Sequence, residues 1–380
     1  MADSVLPTIT DDAIQTLLQS LGLPKATEIT SPKVTAQYHS IYFITVPKSP
    51  ASHDHAELVL RVSGRHLPVI KTKNEIGVMT WLSKNTTIPT PAIIAYDASE
   101  SNPIGHEYTL LSKARGITLS EIYDTLTPEK TTQILDQLID ILTQLHAHPW
   151  TGIGGLSLNE NGDPVLSQIL DENFWQLPGI EKYWPGHTPT GLNLSGPYGS
   201  YIDYITAHIQ LYIKLINLHP TLASMRDLIP RLENFIAILP QHSDELNKVA
   251  LRLAHKDLHF ANILFDDSTN KITAILDWEF SGVVPFTKWN PARSFLWNGR
   301  DDASSGEEKK KWMGMFQERC AQRGCEILKD AEYASKLQDD MQLVVDYLRA
   351  IVEVSPRGQR AELVGGWRNV VVEGLEAFGV

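Results

Sequence analysis

Apolar residues recur along this chain with two different periods. In the first third the runs are short and β-branched. Ile41-Tyr42-Phe43-Ile44-Thr45-Val46 and Glu57-Leu58-Val59-Leu60-Arg61-Val62 predict two strands. The intervening stretch from Pro47 to His55 is rich in Pro, Ser and His and predicts a hairpin loop. Ile93-Ile94-Ala95-Tyr96 and Tyr108-Thr109-Leu110-Leu111 predict two more strands, with Pro89, Pro91, Asn102, Pro103 and Gly105 supplying turns. Two helical stripes interrupt this pattern. One is acidic and covers 11–21 through Ile14, Leu17, Leu18 and Leu21. The other covers Thr72 to Leu82 with Ile76, Met79 and Trp81 facing inward.

After Gly116 the period becomes helical. Stripes run through Ile134, Leu138, Ile141, Leu142 and Leu145; through Ile202, Ile205, Ile209, Tyr212, Ile213 and Ile216; and through Leu228, Leu232, Phe235, Ile236 and Leu239. From Ala331 onward the pattern is helical again, and Ser355-Pro356-Arg357-Gly358 is expected to split it in two. One strand-rich island remains near 262–277. Strands first and helices after predict an α+β protein of two lobes, 1–112 and 113–380.

The island carries the chemistry. His255-Lys256-Asp257-Leu258-His259-Phe260-Ala261-Asn262 leads into Ile263-Leu264-Phe265, a turn at Asp266 to Asn270, and Ile272 to Leu276, which ends in Asp277-Trp278-Glu279. The spacing His-x-Asp-Leu-x-x-x-Asn is that of a protein-kinase catalytic loop, with Lys256 in place of Arg. Phosphoryl transfer needs a carboxylate at the acceptor hydroxyl and hard oxygen ligands for a Mg²⁺ that bridges phosphates. Asp257 suits the first role, and Asn262 and Asp277 suit the second. A hairpin between Asn262 and Asp277 returns the chain and sets those two side by side. An Asp that closes a strand also serves as a plain turn former, but the ordered set of five features argues for the chemistry.

The segment resembles the catalytic motif of the aminoglycoside phosphotransferase and choline kinase superfamily, fungal members included. The likeness is specific over 253–282 and loose over the rest of 30–300. It implies a protein-kinase-like fold with a small nucleotide lobe, a large helical lobe, and use of ATP and Mg²⁺. By motif position it implies Asp257 as catalytic base, Asn262 and Asp277 as metal ligands, and His255 as a brace of the catalytic loop.

The nucleotide lobe departs from that pattern. The strand position expected to hold Lys is Arg61, and Glu75, fourteen residues on, is its natural helix partner. Arg61 fits either a phosphate contact or a buried ion pair. The loop expected to be glycine-rich is Thr35-Ala36-Gln37-Tyr38-His39-Ser40, which has no glycine. There His39 or Ser40 could bond a phosphate, or the segment is simply the start of a strand. Leu110-Leu111-Ser112 is the expected hinge, where backbone groups at Leu111 would meet the adenine edge.

Between about 150 and 250 lie Trp150, Phe174, Trp175, Tyr183, Trp184, Tyr198, Tyr201 and Tyr204, interspersed with Glu160, Asp171, Glu172, Glu181 and Asp203. As a group they suit a cationic or flat organic acceptor; singly, each also suits helix packing. Trp278, Glu279, Trp289, Asn290 and Arg293 are candidates for a rear wall, Arg293 alternatively for a salt bridge.

Composition adds exclusions. With 33 Lys plus Arg against 45 Asp plus Glu, the formal net charge of −12 disfavours nucleic acid and anionic membranes as partners. Neither a signal peptide nor a membrane span is read in the sequence, so a cytoplasmic protein is expected. Cys320 and Cys325 are expected to be reduced thiols, and the pairs His53/His55 and His146/His148 lack a third metal ligand at usual spacing. The expectation is an ATP- and Mg²⁺-dependent kinase of a small-molecule hydroxyl. The alternative is a weak pseudokinase or nucleotide-binding scaffold.

Overall fold

A computed structural model describes residues 6–32, 36–289 and 303–380. Thr35, Asn290 and Arg293, named above, lie outside the described residues.

The strand-rich third forms one antiparallel sheet in the order β1-β2-β3-β5-β4, from β1 (Glu28–Thr30), β2 (His39–Thr45), β3 (Glu57–Ser63), β4 (Ile93–Asp97) and β5 (Tyr108–Ser112). The short edge strand β1 was not expected, because three residues carry no period. Side chains alternate across a strand. Leu58, Leu60 and Val62 of β3 therefore share one face, where helix α1 (Asp11–Ser20) lays Ile14, Leu17 and Leu18 against them. Full burial of a residue such as Leu60 stabilises by about 2 kcal/mol. The same alternation sends Arg61 to the opposite face, beside helix α2 (Ile70–Asn85).

The rest of the chain is mostly helical. The longer helices are α3 (Pro128–His146), α4 (Tyr201–Leu218), α5 (Ile229–Ile238), α6 (Ala303–Gln322), α7 (Lys336–Arg357) and α8 (Ala361–Glu376). Thr127 and Ser200 cap α3 and α4 by accepting bonds from Lys130 and Asp203 backbone N–H groups. The expected break over Ser355 to Gly358 is found at its last residue: α7 runs through Pro356 and stops at Gly358, whose φ of 64° closes the helix. One core unites α2, α3 and the island strands; a second unites α4, α5, α7 and α8.

The island forms short strands. β6 (Ile117–Thr118) pairs with β10 (Ile263–Asp266) and so extends its hairpin with β11 (Lys271–Ile275), while β9 (Leu251–Ala254) pairs with β12 (Gly282–Pro285). A further hairpin, β7 (Gly155–Leu158) with β8 (Pro164–Ser167), lies against α2. At Gly77 of α2 a Cβ would meet the Leu156 backbone at 2.6 Å, so only glycine permits this approach.

Candidate active site

The loop between β9 and β10 holds Asp257 and Asn262, and Asp277 lies two residues beyond the end of β11. Five hydrogen bonds set their relation. The Leu276 backbone N–H donates to the Asn262 carbonyl at 2.8 Å. His255 Nε2 donates to the Leu276 carbonyl at 2.7 Å, while its Nδ1 accepts from the Asp257 backbone N–H at 3.3 Å. The Asn262 amide nitrogen donates to the Asp257 carbonyl at 2.9 Å and reaches its carboxylate at 3.4 Å.

His255 is fully buried and stacks edge-on against Trp278 at 4.5 Å between ring centres. Burial holds its pKa below the ordinary value, with the Leu276 bond opposing. It is thus a neutral imidazole that ties the loop bearing Asp257 to the backbone of Leu276, next to Asp277.

Two residues here take left-handed backbone conformations that disfavour side chains, Lys256 (φ 64°) and Asp277 (φ 65°). Such conformations persist only where surroundings enforce them, and they cluster at functional sites. Lys256 is anchored through its Nζ, which donates to the Leu170 carbonyl at 2.5 Å and lies 3.6 Å from Asp171.

Asn262 directs its amide nitrogen at Asp257, and no bond engages its Oδ1 among the described residues. That oxygen and the Asp277 carboxylate, which is about one-third exposed, are two hard donors of the kind Mg²⁺ takes. Their chemistry fits a hydrated Mg²⁺ site.

The sheet side delivers Arg61. Its guanidinium bonds Glu75 of α2 and also Asp277, the latter at 2.7 Å. It lies 3.3 Å from His39 Nδ1. Burial opposes the Arg61 charge, but Glu75, Asp277 and Glu279 outweigh it and raise its pKa. Burial would likewise raise the Asp277 pKa, yet Arg61 holds it below the carboxylate norm. Glu75 also accepts from the Thr109 hydroxyl at 3.3 Å. Arg61, Glu75 and Asp277 therefore meet at one point.

The other expected nucleotide residues stand apart from it. The Ser40 hydroxyl donates to the Pro7 carbonyl at 2.5 Å. Leu111 is buried in β5, in register with Val59 on one side and Ile93 on the other.

Four polar residues at this junction deserve more weight than their sequence positions suggest. Lys71 is 1% exposed; its Nζ lies 2.7 Å from Glu279 and 2.8 Å from His39 Nε2. Burial pushes the Glu279 carboxyl up to about 7, against the pull of Lys71. Burial, then Lys71 and Arg61, drive the His39 pKa well below its usual value. Asn74 donates to the Glu279 and Ser281 carbonyls, each at 2.8 Å, and accepts from the Leu156 backbone N–H at 2.7 Å. These contacts join α2 to the segment after Asp277. The sequence offered Glu279 as part of the Asp-Trp-Glu motif and as a pocket wall, and His39 as a phosphate contact or the start of a strand; His39 does open β2. Lys71 and Asn74 carry no local signal beyond being polar on an otherwise apolar helix face.

The aromatic group divides. Trp184 and Tyr201 are core residues at 2% and 1% exposure, and Trp150 packs on Trp81 at 5.4 Å. Phe174, Trp175 and Tyr204 line a cavity with Asp171. Trp278, Glu279 and Trp289 are buried. His146 pairs with Asp330 at 2.8 Å, and His148 packs edge-on against Trp81. Both cysteines are free thiols. Among the described residues no helix is long and apolar enough to cross a membrane.

Known proteins supply the comparison. A clavilactone A biosynthesis cluster protein of Ampulloclitocybe clavipes is 26% identical over 255 residues, 62% of this chain and 54% of that protein. A subtelomeric hrmA-associated cluster protein of Aspergillus fumigatus is 23% identical over 262 residues, 56% of this chain and 50% of that one. The chain thus spans about half the length of the curated relatives it matches. Among solved structures, a thermostable mutant of aminoglycoside phosphotransferase APH(4)-Ia in apo form superposes with a TM-score of 0.51 at 14% identity, covering 96% of this chain and 99% of that one. A variant of the same thermostable mutant of that enzyme, in ternary complex with AMP-PNP and hygromycin B, gives 0.50, also at 14% identity, covering 95% and 98%. The fold is therefore the bilobal, protein-kinase-like α+β fold. Residues 42–287 match the model of the phosphotransferase enzyme family, and with about two-thirds of its length inside that match the chain belongs to this family.

Proposed function

We propose that this protein transfers the γ-phosphoryl group of ATP to a hydroxyl of a small molecule. The observation that carries the proposal is the arrangement of Asp257, Asn262 and Asp277: Asn262 bonds Asp257, and bonds from Leu276 to Asn262 and from His255 to Leu276 tie their loop to the residue before Asp277. In the reaction a bond forms between the acceptor oxygen and γ-phosphorus. The bond from γ-phosphorus to the β–γ bridging oxygen breaks, ADP leaves, and the hydroxyl proton is released.

Asp257 orients the acceptor hydroxyl and takes its proton. Its position is set by the two bonds from Asn262 and by the brace on its backbone N–H. Asn262 Oδ1 and Asp277 would hold Mg²⁺, which supplies charge neutralisation for the phosphates when bound. Arg61 fixes Asp277 relative to Glu75 and offers the only guanidinium on the described sheet strands at this junction. The domains proposed are a nucleotide lobe over 1–112 and a helical lobe over 113–380.

One observation favours a second reading, a nucleotide binder with weak turnover. Arg61 already occupies one oxygen of Asp277, so Mg²⁺ must compete with a guanidinium for that carboxylate.

Thermal shift with Mg-ATP, against ATP alone and Mg²⁺ alone, tests both readings. Mg-ATP at millimolar concentration is expected to raise Tm by a few degrees, and chelation of the metal to remove the shift. No stabilisation by any combination would overturn both. Phosphoryl transfer or slow ATP hydrolysis that vanishes in Asp277→Ala selects the enzyme; binding without either selects the second reading.

A further inference from the structure

The chain has two cysteines, Cys320 and Cys325, and both lie at the C-terminal end of α6. The helix stops at Gln322, and the chain turns at Gly324, whose φ is 64°. Two backbone bonds close this end. The Cys325 N–H donates to the Cys320 carbonyl at 2.9 Å, and the Gly324 N–H donates to the Ala321 carbonyl at 3.1 Å. Nested bonds of this kind around a left-handed glycine make a helix cap. The cap folds the residue after the glycine back onto the third residue from the helix end, where an apolar contact commonly forms. Here both of those positions are cysteine.

The cap limits the distance between them. Standard backbone bond lengths on either side of the 2.9 Å bond keep the two Cα atoms within about 6.8 Å. Disulfides span about 4.4–6.8 Å between Cα atoms, so the backbone alone holds the pair in bridging range. The side chains converge as well. Cys320 is fully buried in the core that contains Phe316 and Ile327, and Cys325 packs partly buried against that core. Burial pushes the Cys320 thiol up to about 12, and the neighbouring Cys325 adds to the rise. Cys320 is therefore the inner, protonated thiol, and Cys325 is the one solvent reaches.

We infer that Cys320 and Cys325 are a site of reversible disulfide formation across the cap of α6, with a low-molecular-weight disulfide such as glutathione disulfide as oxidant. The Cys325 thiol gives its proton to solvent, and its sulfur attacks one sulfur of the oxidant. One glutathione thiolate leaves, and a mixed disulfide stays on Cys325. Cys325 can then no longer carry the charge that disfavours a Cys320 thiolate. The Cys320 thiol gives up its proton, its sulfur attacks the Cys325 sulfur, and the second glutathione thiolate leaves. Two cysteine thiols lose two electrons, and the oxidant is reduced to two thiols. The bridge fastens the last turn of a helix whose Trp312 packs edge-on against Phe260, in the loop between Asp257 and Asn262, at 4.9 Å.

The test incubates the reduced full chain with excess glutathione disulfide at mildly alkaline pH. The sample is quenched in acid, unfolded, and blocked with N-ethylmaleimide for intact mass and peptide mapping. The reduced chain is expected to take a label on both cysteines and the oxidised chain on neither, with no glutathione retained. A peptide joining Cys320 to Cys325 should appear, and dithiothreitol should restore both labels. Cys320→Ser removes the second step and should leave glutathione on Cys325. In Cys325→Ser the remaining thiol is buried, so it should react at least about tenfold more slowly than Cys325 does in Cys320→Ser. Glutathione that persists on Cys325 in the parent chain overturns the inference, as does retention of both thiols or a disulfide only between two chains. Those readouts need no variant and hold even where a serine substitution impairs folding. Equal rates in the two serine variants overturn the order of attack.

Discussion

The two halves of the candidate site are built on different principles. The half proposed for acceptor and metal, 255–277, is ordered mostly by neutral hydrogen bonds within one continuous segment. The phosphate half is ordered by charge. Arg61, Lys71, Glu75 and Glu279, with His39 between the cations, come from β2, β3, α2 and the segment after β11. The first half survives local changes in the surrounding lobe because its partners are near in sequence. The second depends on the sheet and the helical region meeting correctly, because buried charges without partners are costly.

That contrast can be broken at both ends. The largest effect is expected in the first half: Asp257→Ala should lower phosphoryl transfer by about 10²–10⁴-fold, with Tm nearly unchanged. A coupled ADP-release assay beside a thermal melt checks it. A large fall in Tm would show that Asp257 is structural.

Next comes the charged half. Lys71→Met leaves Glu279 buried without its cation and should cost about 3 kcal/mol in urea denaturation. The value sits low in the range for broken buried pairs because Glu279, already pushed up to about 7, can take a proton. Lys71→Met combined with Glu279→Gln should recover much of the loss. If the double variant is no better than the single, the pair is not the source of the stability.

A smaller effect concerns pH. The folded-state pKa of His39 lies well below its unfolded value of about 6.5, so below that pH the unfolded chain binds a proton that the folded chain refuses. His39 thus contributes stability that is present above about pH 6.5 and is lost as pH falls toward the folded pKa. Melting curves from pH 7.5 to 5.5 should show His39→Gln losing less stability than the parent. Parallel losses would remove His39 from the account.

The smallest expected change is Arg61→Lys. An ammonium can keep Glu75 but cannot also fork to Asp277, which frees that carboxylate for Mg²⁺. Mg-nucleotide affinity should hold or rise a few-fold by calorimetry. A collapse would show that the guanidinium fork itself grips the nucleotide.

Much of this was legible in the sequence where the signal is local. Strand and helix periods gave β2, β3, β4, β5 and the helices α1 to α5 to within a few residues. The motif order gave a hairpin from Asn262 to Asp277, and the pairing of Ile263 with Ile275 closes it. The pairing of Arg61 with Glu75, which the resemblance implied and the fourteen-residue spacing allowed, is present. Less legible were the partners across 200 residues: Lys71 to Glu279, Arg61 to Asp277, and Asn74 to Ser281. No period or spacing reports such distant encounters. The aromatic group shows the same limit, because Trp184 and Trp175 look alike in sequence and only one lines the cavity.

The sequence by itself determined which groups are available: a carboxylate proposed as base, two hard oxygen donors, and a strand cation with a helix carboxylate. It could do so because a hairpin and an alternating strand are short-range objects governed by backbone geometry. Only the tertiary structure decided that Arg61 touches Asp277 as well as Glu75 and that Lys71 is buried. Those outcomes depend on which elements exclude water together, and the cost of an unpaired buried charge selects among them only after packing has brought the elements into contact.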